Sequence, residues 1–430
     1  MLVVRGQSLP ALDELALDFR GLGASDAAAG AHEMRRVQGF RELSGEDGQW
    51  HLAEFRESSG YTRTSLANLT PVYNRGVEYR SLGRTGIQVS PLCLVAMMFG
   101  AWGEPDHDTC IKTIHTALDA GINFIDTADV YSQGESETIV GKALAGGKRD
   151  DVVLATKVNI QMGVALDSPV GTKGDPNQRG NSRRWIIREI ENSLRRLNTD
   201  WIDLYQVHRP DEDTDIEETL SALTDLQRQG KIRAFGSSTF PAHQMVQAQW
   251  VSERRGLGRF VTEQPPYSLL VRGIEADVLP VAEQYGMGVL PWSPLAGGWL
   301  TGGYRKDQDL PESRRRTRMP GRFDMSSPDN QRKLDAADAL GQLADGAGQS
   351  LIHLALAFVI QHPAVTSPII GPRTMEHLQS QLGATEVKLS TDILDKIDEI
   401  VPPGVTIARS DQGYQPPSLT DPFLRRRRTT

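Results

Sequence analysis

Residues 123–131 read Asn123-Phe124-Ile125-Asp126-Thr127-Ala128-Asp129-Val130-Tyr131. The first five form a short β-rich run, and it gives way to polar residues where a strand would end. An amphipathic helical pattern follows at 136–145. The same grammar repeats on both sides. β-rich runs recur at 92–97, 152–158, 201–208, 233–237, 260–263, 288–291 and 366–370. Helical patterns lie among them at 109–120, 186–197, 216–229, 242–255, 277–285, 334–344 and 375–382, with further helices expected at 351–361 and 391–400. Eight strands, each trailed by a helix, fit either a closed barrel or an open doubly wound sheet. The count of eight, and the lack of a glycine-rich phosphate turn after the first strand, favour the α/β barrel, (β/α)8 or TIM barrel. A β-hairpin, 79–82 and 87–90 around Gly83-Arg84-Thr85-Gly86, precedes it.

In a barrel the strand ends converge on one face, so polar groups there are candidates for chemistry. The second strand ends at Asp126 with Tyr131 just beyond, the third at Thr156-Lys157, the fourth at Gln206-Val207-His208. Taken singly, each has a plain structural reading: a helix cap, a half-buried aromatic, a solvated charge, a loop histidine. Together they place a carboxylate, a phenol, an ammonium and an imidazole at three adjacent strand ends. That set suits carbonyl reduction. Hydride addition builds negative charge on the carbonyl oxygen, and an acid must meet it. A free phenol, with a pKa of about 10, is a reluctant acid. A neighbouring Lys157 ammonium is expected to lower that value, Asp126 to hold the ammonium, and His208 to hydrogen-bond the same oxygen.

Composition narrows the class. With 47 Lys+Arg against 55 Asp+Glu the net charge is −8, which argues against a general nucleic-acid binder. No run approaches a membrane span, and residues 1–20 carry Arg5, Asp13, Glu14 and Asp18 rather than a signal-peptide core. The two cysteines, Cys93 and Cys110, indicate no disulfide framework and fit a reducing cytoplasm. No metal-ligand spacing occurs among the nine histidines, so no metal is expected.

From about Val77 to Arg409 the chain resembles the aldo-keto reductase superfamily. The resembling segments are Tyr79-Arg80-Ser81-Leu82-Gly83, Asn123 to Ala128, Tyr131, Thr156-Lys157, Asp203-Leu204-Tyr205-Gln206-Val207-His208 and Trp292-Ser293-Pro294-Leu295. Glu263-Gln264, Tyr267 and Ser293-Pro294-Leu295 look closest to the microbial branch that is similar to potassium-channel β subunits. The resemblance implies a catalytic tetrad of Asp126, Tyr131, Lys157 and His208. It implies an NADPH/NADP+ site in which Ser238 and Gln264 hold the nicotinamide amide, Thr239 beside them offers a hydroxyl contact or none, and Tyr267 stacks on the ring. Ser293, Leu295 and Gly297 would meet the pyrophosphate, and Gly371, Arg373, His377 and Gln381 the adenosine end. Arg373, beside a helix start, suits a 2′-phosphate. Three sites depart from the family pattern, among them His377, which stands where an adenine-contacting Gln, Asn or Glu is common. Thr239 replaces the asparagine of the Gly-x-Ser-Asn motif, and Val95-Ala96 replaces a glycine-threonine pair. The changes at Thr239 and at Val95-Ala96 bear on cofactor affinity.

The implied activity is NADPH-dependent reduction of aldehydes or ketones, with Tyr131 as proton donor and a small carbonyl compound as substrate; neither nucleic acid nor membrane is an expected partner. The alternative is a cofactor-binding regulatory or sensor subunit with slow turnover. Physiological substrate and oligomeric state are left open. Residues 160–184 are expected to form a long loop beside the substrate mouth, with Phe99, Trp102 and Trp299 lining an apolar pocket. Residues 306–330 are expected to be a flexible loop folding over bound cofactor, 410–430 a C-terminal tail, and its Arg425 to Arg428 run to be solvated. Residues 1–76 are expected to be mostly disordered, with at best a short helix around Leu12, Leu15, Leu17 and Phe19. Since Val77 stands where family members often begin with Met, that extension is expected to be a start-site artefact, which an intact-mass measurement would reveal.

Overall fold

The structure, a computed structural model, describes residues 78–426 apart from 165–171, 307, 313–315 and 318, together with three strands nearer the N-terminus. The chain divides into two units, Met1–Pro71 and Val72–Thr430. In the first, Gln49–Leu52 pairs antiparallel with both Ala16–Asp18 and Leu43–Ser44. The helix expected around Leu17 is corrected: Leu17 pairs across a sheet with Trp50. The other expectations for residues 1–76, including a start at Val77, lie outside the described residues.

The second unit carries the eight parallel strands: β1 (Cys93–Val95), β2 (Phe124–Asp126), β3 (Val153–Val158), β4 (Ile202–Val207), β5 (Ile232–Ser238), β6 (Thr262–Gln264), β7 (Gly288–Val289) and β8 (Ile369–Ile370). They lie in the order β7-β6-β5-β4-β3-β2-β1-β8. The edges meet through a parallel bridge between Val289 and Val365, the Thr366 amide donating to the Val289 carbonyl at 2.9 Å. The barrel, not the open sheet, is therefore the fold. The hairpin forms between Arg80–Ser81 and Gln88–Val89. Its Gly83 presses so closely on the starts of β6 and β7 that a Cβ there would lie 2.6 Å from the Val261 carbonyl. It thus packs at the end of the barrel opposite the strand termini that carry chemistry.

The outer helices include α1 (His107–Asp119), α2 (Glu135–Ala143), α3 (Arg183–Leu197), α4 (Ile216–Arg228), α5 (Ala242–Arg255), α6 (Val278–Tyr285), α7 (Pro328–Gly346), α8 (Leu351–Gln361), α9 (Met375–Leu382) and α10 (Thr391–Ile400). Side-chain caps set several starts: the Ser182 hydroxyl accepts from the Trp185 amide, and Asp215 from that of Glu217. In α3, Trp185, Ile186, Ile190, Leu194 and Leu197 form the buried stripe that fits it to the sheet. Both cysteines are buried and unbridged. Among the described residues no single helix is long and apolar enough to cross a membrane.

The strand period of two decides which side chains reach the barrel interior. On β3, Lys157 points inward to Asp126, while its neighbour Thr156 bonds outward to Glu137 of α2 at 2.6 Å. On β4, Gln206 faces inward to the same Asp126.

Candidate active site

The site is built where β2, β3, β4 and β6 end. Lys157 Nζ donates to Asp126 Oδ1, to the Thr127 carbonyl at 2.8 Å and to the Tyr131 hydroxyl at 3.2 Å. Asp126 Oδ2 accepts from Gln206 and Gln264, each at 3.0 Å. Thus both carboxylate oxygens are satisfied, and the carboxylate holds the ammonium under the phenol. The His208 ring stands edge-on to Tyr131 with centroids 5.8 Å apart, and its buried Nδ1 has no hydrogen-bond partner among the described residues. All four residues expected to form the tetrad are brought together.

Tyr131 owes its position to an unusual turn. Ser132 and Gln133 have left-handed φ of 50° and 55°, and Gly134 follows at 94°. Such a conformation costs about 1–3 kcal/mol per non-glycine residue and persists only where the surroundings hold it. Here the Ser132 hydroxyl donates to the Phe99 carbonyl at 3.2 Å and accepts the Trp102 amide at 3.1 Å. Gln133 Oε1 accepts the Gly163 amide at 3.1 Å, tying the turn to the long loop after β3.

Electrostatics depart from expectation at the phenol. Burial pushes the Tyr131 hydroxyl above its ordinary pKa; Lys157 pulls it down and Asp126 pushes it up. The expected lowering by Lys157 is thus present as a pull, but removal from water outweighs it. Burial also opposes the charge on Lys157, yet Asp126 and Tyr131 together hold that ammonium above its usual value. His208 is held well below the usual imidazole range by burial first, then by Arg209 and Lys157, so its ring is neutral near pH 7. The phenol keeps its proton, the lysine its charge, and the histidine is a neutral hydrogen-bonding group.

The cofactor candidates separate into groups. Ser238, Thr239 and Gln264 lie together beside the tetrad: the Ser238 hydroxyl and the Thr239 amide both donate to the Gln264 carbonyl, at 3.0 and 3.1 Å. Tyr267 does not join them. It is 1% exposed, its ring packs between Phe358 and His362, and its hydroxyl donates to Glu275 at 2.7 Å. The half-buried aromatic beside Thr239 is instead Trp292, whose indole N–H donates to the Thr239 hydroxyl at 3.3 Å. Ser293 and Ala296, both non-glycine and left-handed, kink the loop that holds Leu295 and Gly297 after β7.

At the other end, Arg373 is half-buried without a side-chain partner among the described residues, just before α9. His377 is exposed, and Gln381 commits its amide nitrogen to the His377 carbonyl at 2.7 Å. Gly371 faces Val95 so closely that a Cβ there would meet Val95 Cγ1 at 3.1 Å, so the extra bulk of Val95 is packed into this wall.

Of the expected pocket aromatics, only Trp102 stands near the phenol, 6.1 Å between ring centroids. Phe99 is buried and supports the turn through its carbonyl. Trp299 is corrected: it is 1% exposed, stacks on Tyr304 and Phe323, and lies under Lys333 Nζ at 4.7 Å. That stack also corrects the reading of 306–330 as flexible throughout, because Phe323 is buried and Asn330 bonds the Gly321 and Asp324 carbonyls. The start of the C-terminal tail packs back onto these elements. Asp411 receives the buried Lys333 at 2.9 Å, and Gly413 (φ 86°) sits where a Cβ would lie 2.7 Å from Thr239 Cγ2.

Comparison with known proteins gives a consistent set. The aldo/keto reductase family profile matches residues 91–402. The chain is similar to an uncharacterized oxidoreductase, YrpG, of Bacillus subtilis, 41% identical over 76% of this chain and 96% of the relative. It is 35% identical to a putative voltage-gated potassium channel subunit beta of Schizosaccharomyces pombe, over 76% of this chain and 94% of that one. A norsolorinic acid reductase of Aspergillus flavus is 33% identical over 74% and 79% respectively.

Proposed function

The chain belongs to the aldo/keto reductase family, and from that premise we propose that it reduces aldehyde or ketone carbonyls with NADPH, Tyr131 giving the proton. The supporting observation is the Tyr131–Lys157–Asp126 chain of hydrogen bonds, buried beside a neutral His208. When bound, NADPH supplies a hydride from its nicotinamide C4. Ser238, Gln264 and Trp292 are the groups suited to hold the nicotinamide, and the kinked loop through Ser293, Leu295 and Gly297 suits the pyrophosphate. The Arg373 guanidinium, without a side-chain partner among the described residues and beside a helix start, suits a 2′-phosphate.

The residues then divide the work. His208 orients the carbonyl oxygen through a hydrogen bond. The Tyr131 phenol, still protonated at neutral pH, delivers its proton to that oxygen as negative charge develops on it. Lys157, 3.2 Å away, stabilises the phenolate left behind, and Asp126 keeps the ammonium charged and in place. Trp102 walls one side of the carbonyl site.

The test is aldehyde-dependent consumption of NADPH and of NADH by the purified protein, native and Tyr131→Phe. Turnover with NADPH that collapses in the variant supports the reading. Equal slow rates in both would favour instead a cofactor-binding regulatory subunit, the reading to which the channel-subunit relatives lend support.

A further inference from the structure

Most buried cations around this site have a carboxylate partner. Lys157 has Asp126, Arg196 has Glu137 and Glu189, Arg272 has Glu275, and Lys333 has Asp411. Arg209, directly after His208, has no carboxylate hydrogen-bonded to it among the described residues. One Nη donates to the His208 carbonyl at 2.6 Å and to the Thr239 hydroxyl at 3.0 Å, and the guanidinium lies 5.9 Å from the centre of the Trp292 ring. Its Nε and second Nη have no partner among the described residues. Glu263 acts on it electrostatically, but the oxygens of Glu263 already accept from Ser237 and from the Phe240 amide. Arg322 adds a second positive charge that disfavours the first.

A half-buried guanidinium loses solvation without gaining a counter-charge, and an arriving anion restores the balance. The Arg209 fork is held by Thr239 and the His208 carbonyl, so it is preorganised for a planar carboxylate. It also lies within electrostatic range of the Tyr131 phenol.

We propose that Arg209 recognises a carboxylate on the carbonyl substrate, making this a reductase that favours carboxylated aldehydes or ketones. The inference rests on the carbonyl-reductase reading. A phosphate of the dinucleotide offers the same anionic chemistry, so the experiment separates the two sources.

The rates kcat/KM for 4-carboxybenzaldehyde and for its methyl ester are compared in the native protein, Arg209→Met and Arg209→Lys. In parallel, benzoate and NADP+ binding are measured by calorimetry. The native protein is expected to prefer the acid by about ten-fold or more, the size of one charge-assisted contact. In Arg209→Met the acid-to-ester ratio falls to about one, and benzoate binds at least about ten-fold more weakly. Arg209→Lys, which keeps the charge and loses the fork, retains part of the preference. The ester serves within each variant as the reference for intact folding. A native ratio of one, or a ratio unchanged in Arg209→Met, overturns the proposal. So does a variant that weakens NADP+ binding while slowing both aldehydes equally, which assigns Arg209 to the cofactor. If neither aldehyde is reduced but benzoate binding still depends on Arg209, the carbonyl-reductase reading fails and the anion site stands.

Discussion

Replacing Lys157 with Met removes the ammonium bonded to the phenol, 3.2 Å from its oxygen. At that separation, and with an effective dielectric of about 20, a phenolate and an ammonium attract by about 5 kcal/mol. If roughly half of the proton's charge has moved in the transition state, about 2–3 kcal/mol of barrier returns, a fall in rate of about 30- to 200-fold. The substitution has a second effect. Asp126, 1% exposed, is left without its cation, and breaking a buried pair costs about 3–5 kcal/mol. The two effects are separable because Lys157→Met/Asp126→Asn removes the stranded charge without restoring the ammonium. Single-turnover oxidation of bound NADPH by an aldehyde and thermal unfolding are measured on both variants. The single variant should be slow and unstable; the double variant should regain most of the stability and stay slow. A double variant that recovers native turnover would refute the claim that the ammonium acts on the phenol.

Three further outcomes follow from named groups. The folded protein binds a proton on His208 more weakly than the unfolded chain, whose histidine titrates near 6.5, so stability is full above about pH 6.5 and falls as pH drops through it. His208→Gln should flatten that acid limb in a series of melts; an unchanged limb would assign it elsewhere. Asp129 is buried with Oδ2 unpartnered among the described residues, and burial first, then Glu189 and Glu137, push its carboxyl well above the usual range. Its contribution is therefore lost as pH rises above about 4, and Asp129→Asn should stabilise at pH 8 by about 1–3 kcal/mol with the gain vanishing near pH 4; destabilisation at pH 8 would show the charge is paired. Arg373→Leu should raise KM for NADPH about ten- to hundred-fold while leaving that for NADH nearly unchanged, and equal losses for the two would place Arg373 away from the 2′-phosphate.

The fold was legible because its signal is repetitive: each apolar run from Leu92 to Ile370 is followed by a helical period, and the barrel strands fall within or close to those runs. The gathering of Asp126, Tyr131, Lys157 and His208 was legible because strand ends converge, so adjacency in the barrel follows from adjacency in strand order. What failed depends on side-chain direction in irregular segments. Tyr267 follows a strand end, as a cofactor-stacking residue would, yet its hydroxyl turns to Glu275 and its ring into the core. Trp299 is set by stacking with Tyr304 and Phe323, partners that no local period announces. Trp292 and Arg209 went unassigned although both stand at strand ends; the rule that found Lys157 also points to them. The approach of Gly413 to Thr239 spans a sequence distance that no pattern encodes. Desolvation of Tyr131 was likewise hidden, because neighbours in sequence reveal charge but not depth.

The most direct test is to mix the NADPH complex with an aromatic aldehyde and follow nicotinamide oxidation in a single turnover, native against Tyr131→Phe, with NADPH affinity measured alongside. Loss of about 100- to 10,000-fold in the rate, at unchanged affinity, is the expected result for a proton donor. A variant that turns over within a factor of about three of the native rate would contradict it, a gap of less than 1 kcal/mol in barrier.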